Sequence, residues 1–189
     1  MLSWLIFYLL LLTVFWGVGY LFETWQNKHR ADRVLYHASN LGEIGPLLCQ
    51  IIDRYIGSNT NQYSLVEPGA GLATVSRYLG GKYPWREIQA VEIGGFILII
   101  GRLRQLFSLV PIRLIHKDIF VHTFPARSVV YCYLFSSLLT KLWQNGQLTG
   151  HLVISLTFPI QGVEPTEVIP LKSWQGQLYV YDFRTELVR

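Results

Sequence analysis

Residues 63–75 read YSLVEPGAGLATV, and this stretch decides the fold. An apolar run typical of a buried strand ends on Glu67 and passes directly into a turn that contains Gly69 and Gly71. The apolar residues after the turn follow helical spacing as far as Leu79. A strand, a glycine turn and a helix in this order are typical of open α/β folds, which bind ligands outside the carboxyl ends of their strands.

Strands and helices alternate along the rest of the chain. This alternation predicts a parallel sheet covered by helices, and a late pair of strands joined by the turn SWQG predicts an antiparallel hairpin at one edge. The fold class is therefore α/β, a Rossmann-like, seven-stranded, mostly parallel sheet with an antiparallel C-terminal hairpin. The predicted strands are 64–67, 88–92, 112–116, 129–135, 152–158, 166–171 and 177–183, and the predicted helices are 47–55, 72–79, 96–107 and 136–143.

The amino terminus is strongly apolar. Residues 2–22 contain no charged side chain and are long enough to cross about 30 Å of hydrocarbon as one helix. A cleaved signal peptide would have a basic start and a small-residue cleavage site, and this stretch has neither. Lys28 and Arg30 follow the run and predict a single-pass membrane protein whose main domain faces the cytoplasm. The predicted organisation is a transmembrane anchor at 1–22, a juxtamembrane connector at 23–45 and a folded domain at 46–189.

Composition argues against several classes of function. Cys49 and Cys132 lie far apart in apolar surroundings, and neither they nor the five histidines show ligand spacing, so the sequence predicts no disulfide and no metal site. The net charge of +4 is modest and scattered, which argues against nucleic acid as a partner. No GxSxG motif supports hydrolase chemistry.

Three acids follow successive predicted strands, at Glu67, Glu92 and Asp118. All three are therefore expected along one edge of the sheet. A carboxylate beside the glycine turn would repel a pyrophosphate and attract an ammonium group. Glu92 lies 21 residues after Gly71, at the separation where Rossmann-type folds place an acid against ribose hydroxyls. The alternatives are that Glu67 caps a helix, that Glu92 is a solvated strand end, that Asp118 starts a loop and that the glycines only form a tight turn.

The motifs EPGAGLA (67–73), VEIG (91–94) and KDIF (117–120), on a seven-stranded sheet with a final hairpin, resemble the class I S-adenosylmethionine-dependent methyltransferases. The resemblance covers about residues 47–183 and implies that S-adenosyl-L-methionine is the cofactor. It implies that the glycine loop holds the amino-acid part of the cofactor, that the second acid holds ribose, and that the third lies near adenine. The implied cofactor-binding residues are Glu67, Gly69, Ala70, Gly71, Glu92 and Asp118.

A closer resemblance is to the small membrane-anchored protein-lysine methyltransferases that modify mitochondrial ADP/ATP carriers and the ATP synthase c subunit, and to their bacterial relatives. It implies a membrane-anchored enzyme that methylates lysine on a protein substrate such as a membrane protein, with lipid contacts through the N-terminal helix. The loop departs from that branch, because Glu67-Pro68 replaces the usual Asp-Leu and Leu72-Ala73 replaces the usual Asp-Gly.

Aromatic residues after the fourth strand indicate the acceptor. The stretch YCYLF (131–135) lacks the Asn or Asp followed by Pro-Pro that many amine methyltransferases of this class carry, which disfavours planar base or amide nitrogens as substrates. Rings near the methyl group could instead steer a lysine amine by cation–π contact. Tyr133 and Phe158 are the predicted pocket residues, with burial of these rings in the core as the alternative.

Three other functions remain open at this point. The altered glycine loop is compatible with a non-catalytic membrane-tethered adaptor that keeps a methyltransferase-like fold. An anchored enzyme would equally suit a small lipid-like acceptor. A nucleotide-linked oxidoreductase is the third alternative, and Glu67 argues against it.

Overall fold

The computed structural model describes residues 4, 6–8, 10–14, 16–18, 39–173 and 175–184. The chain divides into two compact units, Met1–His37 and Ala38–Arg189. The first is described only by its helical residues between Trp4 and Val18, and the second contains the sheet.

The predicted transmembrane helix at 1–22 is not supported. Among the described residues, none of the helices combines the length and the apolar character that crossing a membrane requires. The predicted single-pass membrane localisation is therefore wrong. Most of the predicted connector, 23–38, lies outside the described residues.

The second unit is built on one seven-stranded sheet, which confirms the predicted fold class. Its strand order is β3-β2-β1-β4-β5-β7-β6. The first five strands pair in parallel, whereas β7 runs antiparallel to both β5 and β6. The strands are β1 Ser64–Pro68, β2 Glu87–Glu92, β3 Arg113–His116, β4 Ser128–Cys132, β5 Leu152–Leu156, β6 Glu167–Pro170 and β7 Gln177–Asp182.

Helices follow the predicted pattern, with one early start. They are α1 Leu41–Tyr55, α2 Thr74–Gly80, α3 Gly95–Gln105 and α4 Ser136–Gln144, and a 3₁₀ helix spans Gly57–Gln62. Helix α1 begins six residues before the predicted 47 and contains Pro46. Ile44 is completely buried and extends the inner face of the helix, while Gly45 leaves room for the ring of Tyr78. Burial of this first turn outweighs the backbone hydrogen bond that Pro46 cannot make.

Alternation along the strands divides the core into two layers. Leu65 and Val129 point to the side covered by α1 and α2, which we call the α1 face. Val66 and Val130 point to the opposite side, covered by α4, which we call the α4 face. Since successive strand residues alternate between faces, residues 67 and 92 belong to the α1 face together with Leu65 and Ala90.

The contact between α2 and β2 leaves no room for a side chain at Gly80. A Cβ there would lie 2.6 Å from Ile88 Cδ1 and closer still to Val110 Cγ1. We expect Gly80→Ala to lower the free energy of unfolding by about 1–3 kcal/mol, because these side chains would have to move. The control is Gly42→Ala in exposed helix, where a Cβ would meet Asn40 Oδ1 at an ordinary 3.5 Å. Urea unfolding of both variants tests this, and equal stabilities would contradict it.

Candidate functional site

The switch point of the sheet lies between β1 and β4. The chain moves outward from β1 to β2 and β3, then returns to β4 on the other side of β1. Strand β1 pairs with β2 as far as Pro68 and Val91, but with β4 only as far as Val66 and Val130. The carboxyl ends of β1 and β4 therefore separate, and open α/β sheets bind ligands in this position.

The glycine loop, residues 68–73, lies beside this opening. Gly69 has a φ of +70°, and a Cβ there would lie 2.7 Å from Leu134 Cδ2, just after β4. Its N–H and that of Ala70 both donate to the carbonyl of Val91, at 2.9 and 3.1 Å. The loop is therefore fixed to β2 on one side and packed against the chain after β4 on the other.

Three alternate residues of the loop are left-handed. Gly69, Gly71 and Ala73 have φ of +70°, +53° and +52°. A dinucleotide fingerprint would place its third glycine at Thr74, but the third left-handed position is Ala73. A side chain in this conformation costs about 1–2 kcal/mol. Ala73 thus places a side chain in a conformation that favours glycine.

Glu92 connects the two loops at this edge. Its Oε2 accepts the N–H of Gly71 at 2.8 Å, and its Oε1 accepts the N–H of Gly94 at 2.7 Å. The carboxylate is half-buried at the end of β2. Two carboxylate oxygens offer about four acceptor positions, so two remain for hydroxyl groups of a ligand.

Glu67 caps helix α2, which is the alternative role that the sequence left open. Its Oε2 accepts the N–H of Ser76 at 2.9 Å in the first turn of α2. That N–H has no partner inside the helix, and Ala73 at the N-cap has no side-chain oxygen to offer it. Burial raises the pKa of Glu67, the hydrogen bond from Ser76 and the charge of Arg77 lower it, and the carboxylate of Glu92 raises it, with a net value of about 7. The negative charge of Glu92 therefore disfavours ionisation of Glu67.

Asp118 lies beyond β3 at the same edge. Strand β3 pairs with β2 so that His116 is opposite Glu92, and Asp118 follows two residues later. Its Oδ1 accepts the N–H of Phe120 at 3.0 Å, which is the turn-forming contact expected of a loop Asp. The structure thus shows a turn contact for Asp118 and leaves its second oxygen for other partners.

The predicted pocket residues Tyr133 and Phe158 meet, and Phe135 joins them. The rings of Tyr133 and Phe158 stack with centroids 6.1 Å apart, and Phe135 meets Phe158 edge-on at 5.1 Å. We call these three residues the aromatic wall. It stands where the adjacent strands β4 and β5 end, on the side of the switch point away from Glu92.

A strained residue holds the aromatic wall in place. Thr157 has a φ of +70°, which is rare for a β-branched residue. Its N–H donates to the carbonyl of Gln177 at 2.8 Å and its hydroxyl to the carbonyl of Gln175 at 2.7 Å. Ser155 Oγ donates to the carbonyl of Phe158 at 2.6 Å. These bonds set the direction in which Phe158 leaves β5.

Arg77 is a positioning residue that sequence analysis missed. One guanidinium nitrogen donates to the carbonyls of Leu72 and Ala73 at 2.6 and 3.2 Å, and another to the carbonyl of Gly101 in α3 at 3.0 Å. The side chain therefore ties the glycine loop to α3. The one sequence signal was a basic residue inside a short, otherwise uncharged helix.

Comparisons with known proteins establish the fold. No protein-family model and no curated protein matches the sequence. Among solved structures, an RNA methyltransferase from Salinibacter ruber in complex with S-adenosyl-L-homocysteine matches with a TM-score of 0.64 and 16% identity, over 79% of this chain and 95% of that chain. A point mutant of MtNAS in complex with S-adenosylmethionine matches with a TM-score of 0.55 and 15% identity, over 72% and 61% of the two chains. The fold is a methyltransferase fold.

The likeness does not extend to a particular branch. At sequence identities of 15 and 16%, the two matches show a shared seven-stranded fold and nothing finer. The protein-lysine methyltransferase branch inferred from sequence is therefore not confirmed, and the roles of the site residues stay predictions.

Glu67 makes stability depend on pH. Its pKa rises from an ordinary 4.5 to about 7 in the folded chain. Between those values the folded protein holds a proton that the unfolded chain releases, so stability is lost as pH rises towards 7. In Glu67→Gln the amide oxygen still accepts from Ser76 without a buried charge. We expect the variant to match the parent near pH 4.5 and to exceed it by about 3 kcal/mol at pH 8, at about 1.4 kcal/mol per pH unit.

Urea unfolding of the full chain between pH 4.5 and pH 8, without ligand, measures this difference. Glu164→Gln, which changes an exposed acid, is the matched control. A constant offset between parent and Glu67→Gln across the range would show that Glu67 titrates normally.

Proposed function

We propose that the chain is an S-adenosylmethionine-dependent methyltransferase that modifies a protein lysine. The observation that carries the proposal is the carboxylate of Glu92, held by Gly71 and Gly94 beside the opening of the sheet. The shared fold supports it, since both structural neighbours were solved with S-adenosylmethionine or its demethylated product.

The residues at this edge fit the cofactor. The missing side chain of Gly69 lets the loop pack against Leu134, since a Cβ there would lie 2.7 Å from Leu134 Cδ2. We assign Gly69, Ala70 and Gly71 to the amino-acid part of the cofactor. The spare acceptor positions of Glu92 suit the two ribose hydroxyls, and Asp118 lies on the side that adenine would take.

Glu67 contributes to this site through its charge. A carboxyl group with a pKa of about 7 is only partly ionised at neutral pH. An ammonium group nearby would favour the ionised form and would bind more tightly for it. The buried carboxyl group of Glu67 therefore caps α2, and its ionised form attracts the ammonium group of the cofactor.

The bound cofactor would supply a methyl group on a positively charged sulfur, which is already electrophilic. The chain has to present a neutral amine in line with that methyl group and to exclude water. The aromatic wall is suited to both tasks. Apolar surroundings lower the pKa of a lysine amine, and ring faces hold its cationic form as it arrives.

The chain after β4 favours an amine over a planar nitrogen. Residues 133–136 are Tyr-Leu-Phe-Ser and provide no carboxylate or carboxamide to bind a base edge or an amide. Aromatic rings occupy the place of such groups at the ends of β4 and β5. The lack of these polar groups and the presence of the rings favour a lysine amine as the methyl acceptor.

Glu92→Gln tests the cofactor site. The new amide nitrogen cannot accept a backbone N–H, and the charge that binds the hydroxyls is lost. We expect the full chain to bind S-adenosylmethionine and S-adenosylhomocysteine in calorimetry, and Glu92→Gln to bind them about 10- to 100-fold more weakly, as hydrogen bonds to charged groups are worth about 1.5–3 kcal/mol.

Glu164→Gln, which removes an exposed acid, controls for net charge, and thermal melting controls for folding. No heat with either ligand in folded parent protein would overturn the proposal. Binding of both ligands with no methylated product in any extract would favour the non-catalytic alternative, towards which the strained Ala73 points.

Phe158→Leu tests the acceptor site. Removing the ring leaves the glycine loop and Glu92 untouched, so cofactor affinity should stay within about twofold. Methyl transfer to lysine should fall by about tenfold, since a desolvated cation–π contact is worth up to about 2 kcal/mol.

The assay incubates the chain and labelled S-adenosylmethionine with an extract from cells lacking the gene, and mass spectrometry then locates the methyl groups. Phe124→Leu is the matched control, because that buried ring packs on the α4 face. Equal losses in the two variants, or label found only on small molecules, would exclude the lysine assignment.

A further inference from the structure

Helix α3 and the turn after it expose a run of large apolar side chains. The exposed fraction rises from 51% at Ile99 to 92% at Phe107, and Leu109 is fully exposed. Single exposed apolar residues are common on protein surfaces, but a contiguous set marks a contact. We call this set the α3 surface, and its members are Ile99, Leu103, Leu106, Phe107 and Leu109.

Helical spacing explains why these residues face outward. Leu98 and Gly101 are the buried residues of α3, so they define its inner side. Ile99, Leu103 and Leu106 follow each other at intervals of four and three residues and share the outer side. The α3 surface is thus a second apolar stripe on a helix whose inner stripe already packs on the sheet.

Other contacts fix this helix and its turn to the domain. Arg77 donates to the carbonyl of Gly101 at 3.0 Å, and Gln105 Nε2 donates to the carbonyl of Val110 at 2.5 Å. The bond from Gln105 to Val110 therefore spans the turn that carries Phe107 and Leu109, and the bond from Arg77 holds the helix before it. The apolar side chains are displayed on a defined scaffold.

Charge along the segment that contains the α3 surface has one sign. Residues 93–117 contain Arg102, Arg104, Arg113 and Lys117 but no Asp or Glu. At 100° per residue, Arg102 and Arg104 fall on opposite sides of the apolar stripe. A second copy of the chain would bring like charges together in a two-fold contact, which disfavours self-association. A partner that fits the α3 surface would offer an apolar region to the stripe and negative charge to the arginines beside it.

We propose that the α3 surface docks on an anionic lipid bilayer. Phe107 and Leu109 would enter the acyl boundary, while Arg102 and Arg104 would remain among the headgroups, as in amphipathic helices that lie in the plane of a membrane surface. The contact is peripheral and uses residues of the sheet-containing unit. It is independent of the proposed methyl transfer.

Vesicle co-sedimentation of the full chain tests this proposal. The probes are vesicles of phosphatidylcholine alone and of phosphatidylcholine mixed with phosphatidylserine. The double variant Phe107→Ser/Leu109→Ser should lower partitioning onto the mixed vesicles by about tenfold, through lost apolar burial. The double variant Arg102→Gln/Arg104→Gln should lower it on mixed vesicles but not on neutral ones, and high salt should reduce the difference.

Val168→Ser is the matched control, since it removes an exposed apolar side chain from the edge strand β6. The apolar run 2–22 is unchanged in every variant, so any lipid affinity that it has cancels in the comparison. Equal partitioning of the parent and Phe107→Ser/Leu109→Ser would overturn the proposal. So would a dimer in the parent that this variant abolishes without any change in vesicle binding.

Discussion

The carboxylate of Glu92 is the contact on which the site depends. By accepting from Gly71 and Gly94, it fixes the glycine loop against the entry to α3 and joins two segments that the sheet alone would leave apart. The loop contains three left-handed residues and has little stability of its own. Glu92, Arg77 and the carbonyl of Val91 together supply partners that stabilise this conformation.

Most of the fold could be predicted from the sequence, because strand and helix periods are local. The alternation of elements and the SWQG turn were enough for seven strands and the antiparallel hairpin. The early start of α1 was missed, since Pro46 reads locally as a break and only burial of Ile44 overrides it. The transmembrane prediction was wrong, since none of the helices in the described part of the chain is long and apolar enough to cross a membrane.

The candidate site was only partly predictable. Acids at strand ends could be found by position, since parallel strands end at one edge. Their partners could not, because the bond from Ser76 to Glu67 and those from Arg77 to the loop require the three-dimensional path of α2. Thr157 gave no signal at all, as nothing in a sequence marks a β-branched residue forced into a left-handed turn.

The edge with the acids and the aromatic wall differ in the sequence separation of the residues that form them. The edge that includes Glu67 and Glu92 is built from residues 64–94, a continuous strand-helix-strand unit. The aromatic wall draws on β4, β5 and the start of β7, and Gln175 there also accepts from the N–H of Asn40. Contacts between distant residues form late because closing long loops costs entropy. During folding, the ligand-binding edge is therefore expected to assemble first and the wall opposite it last.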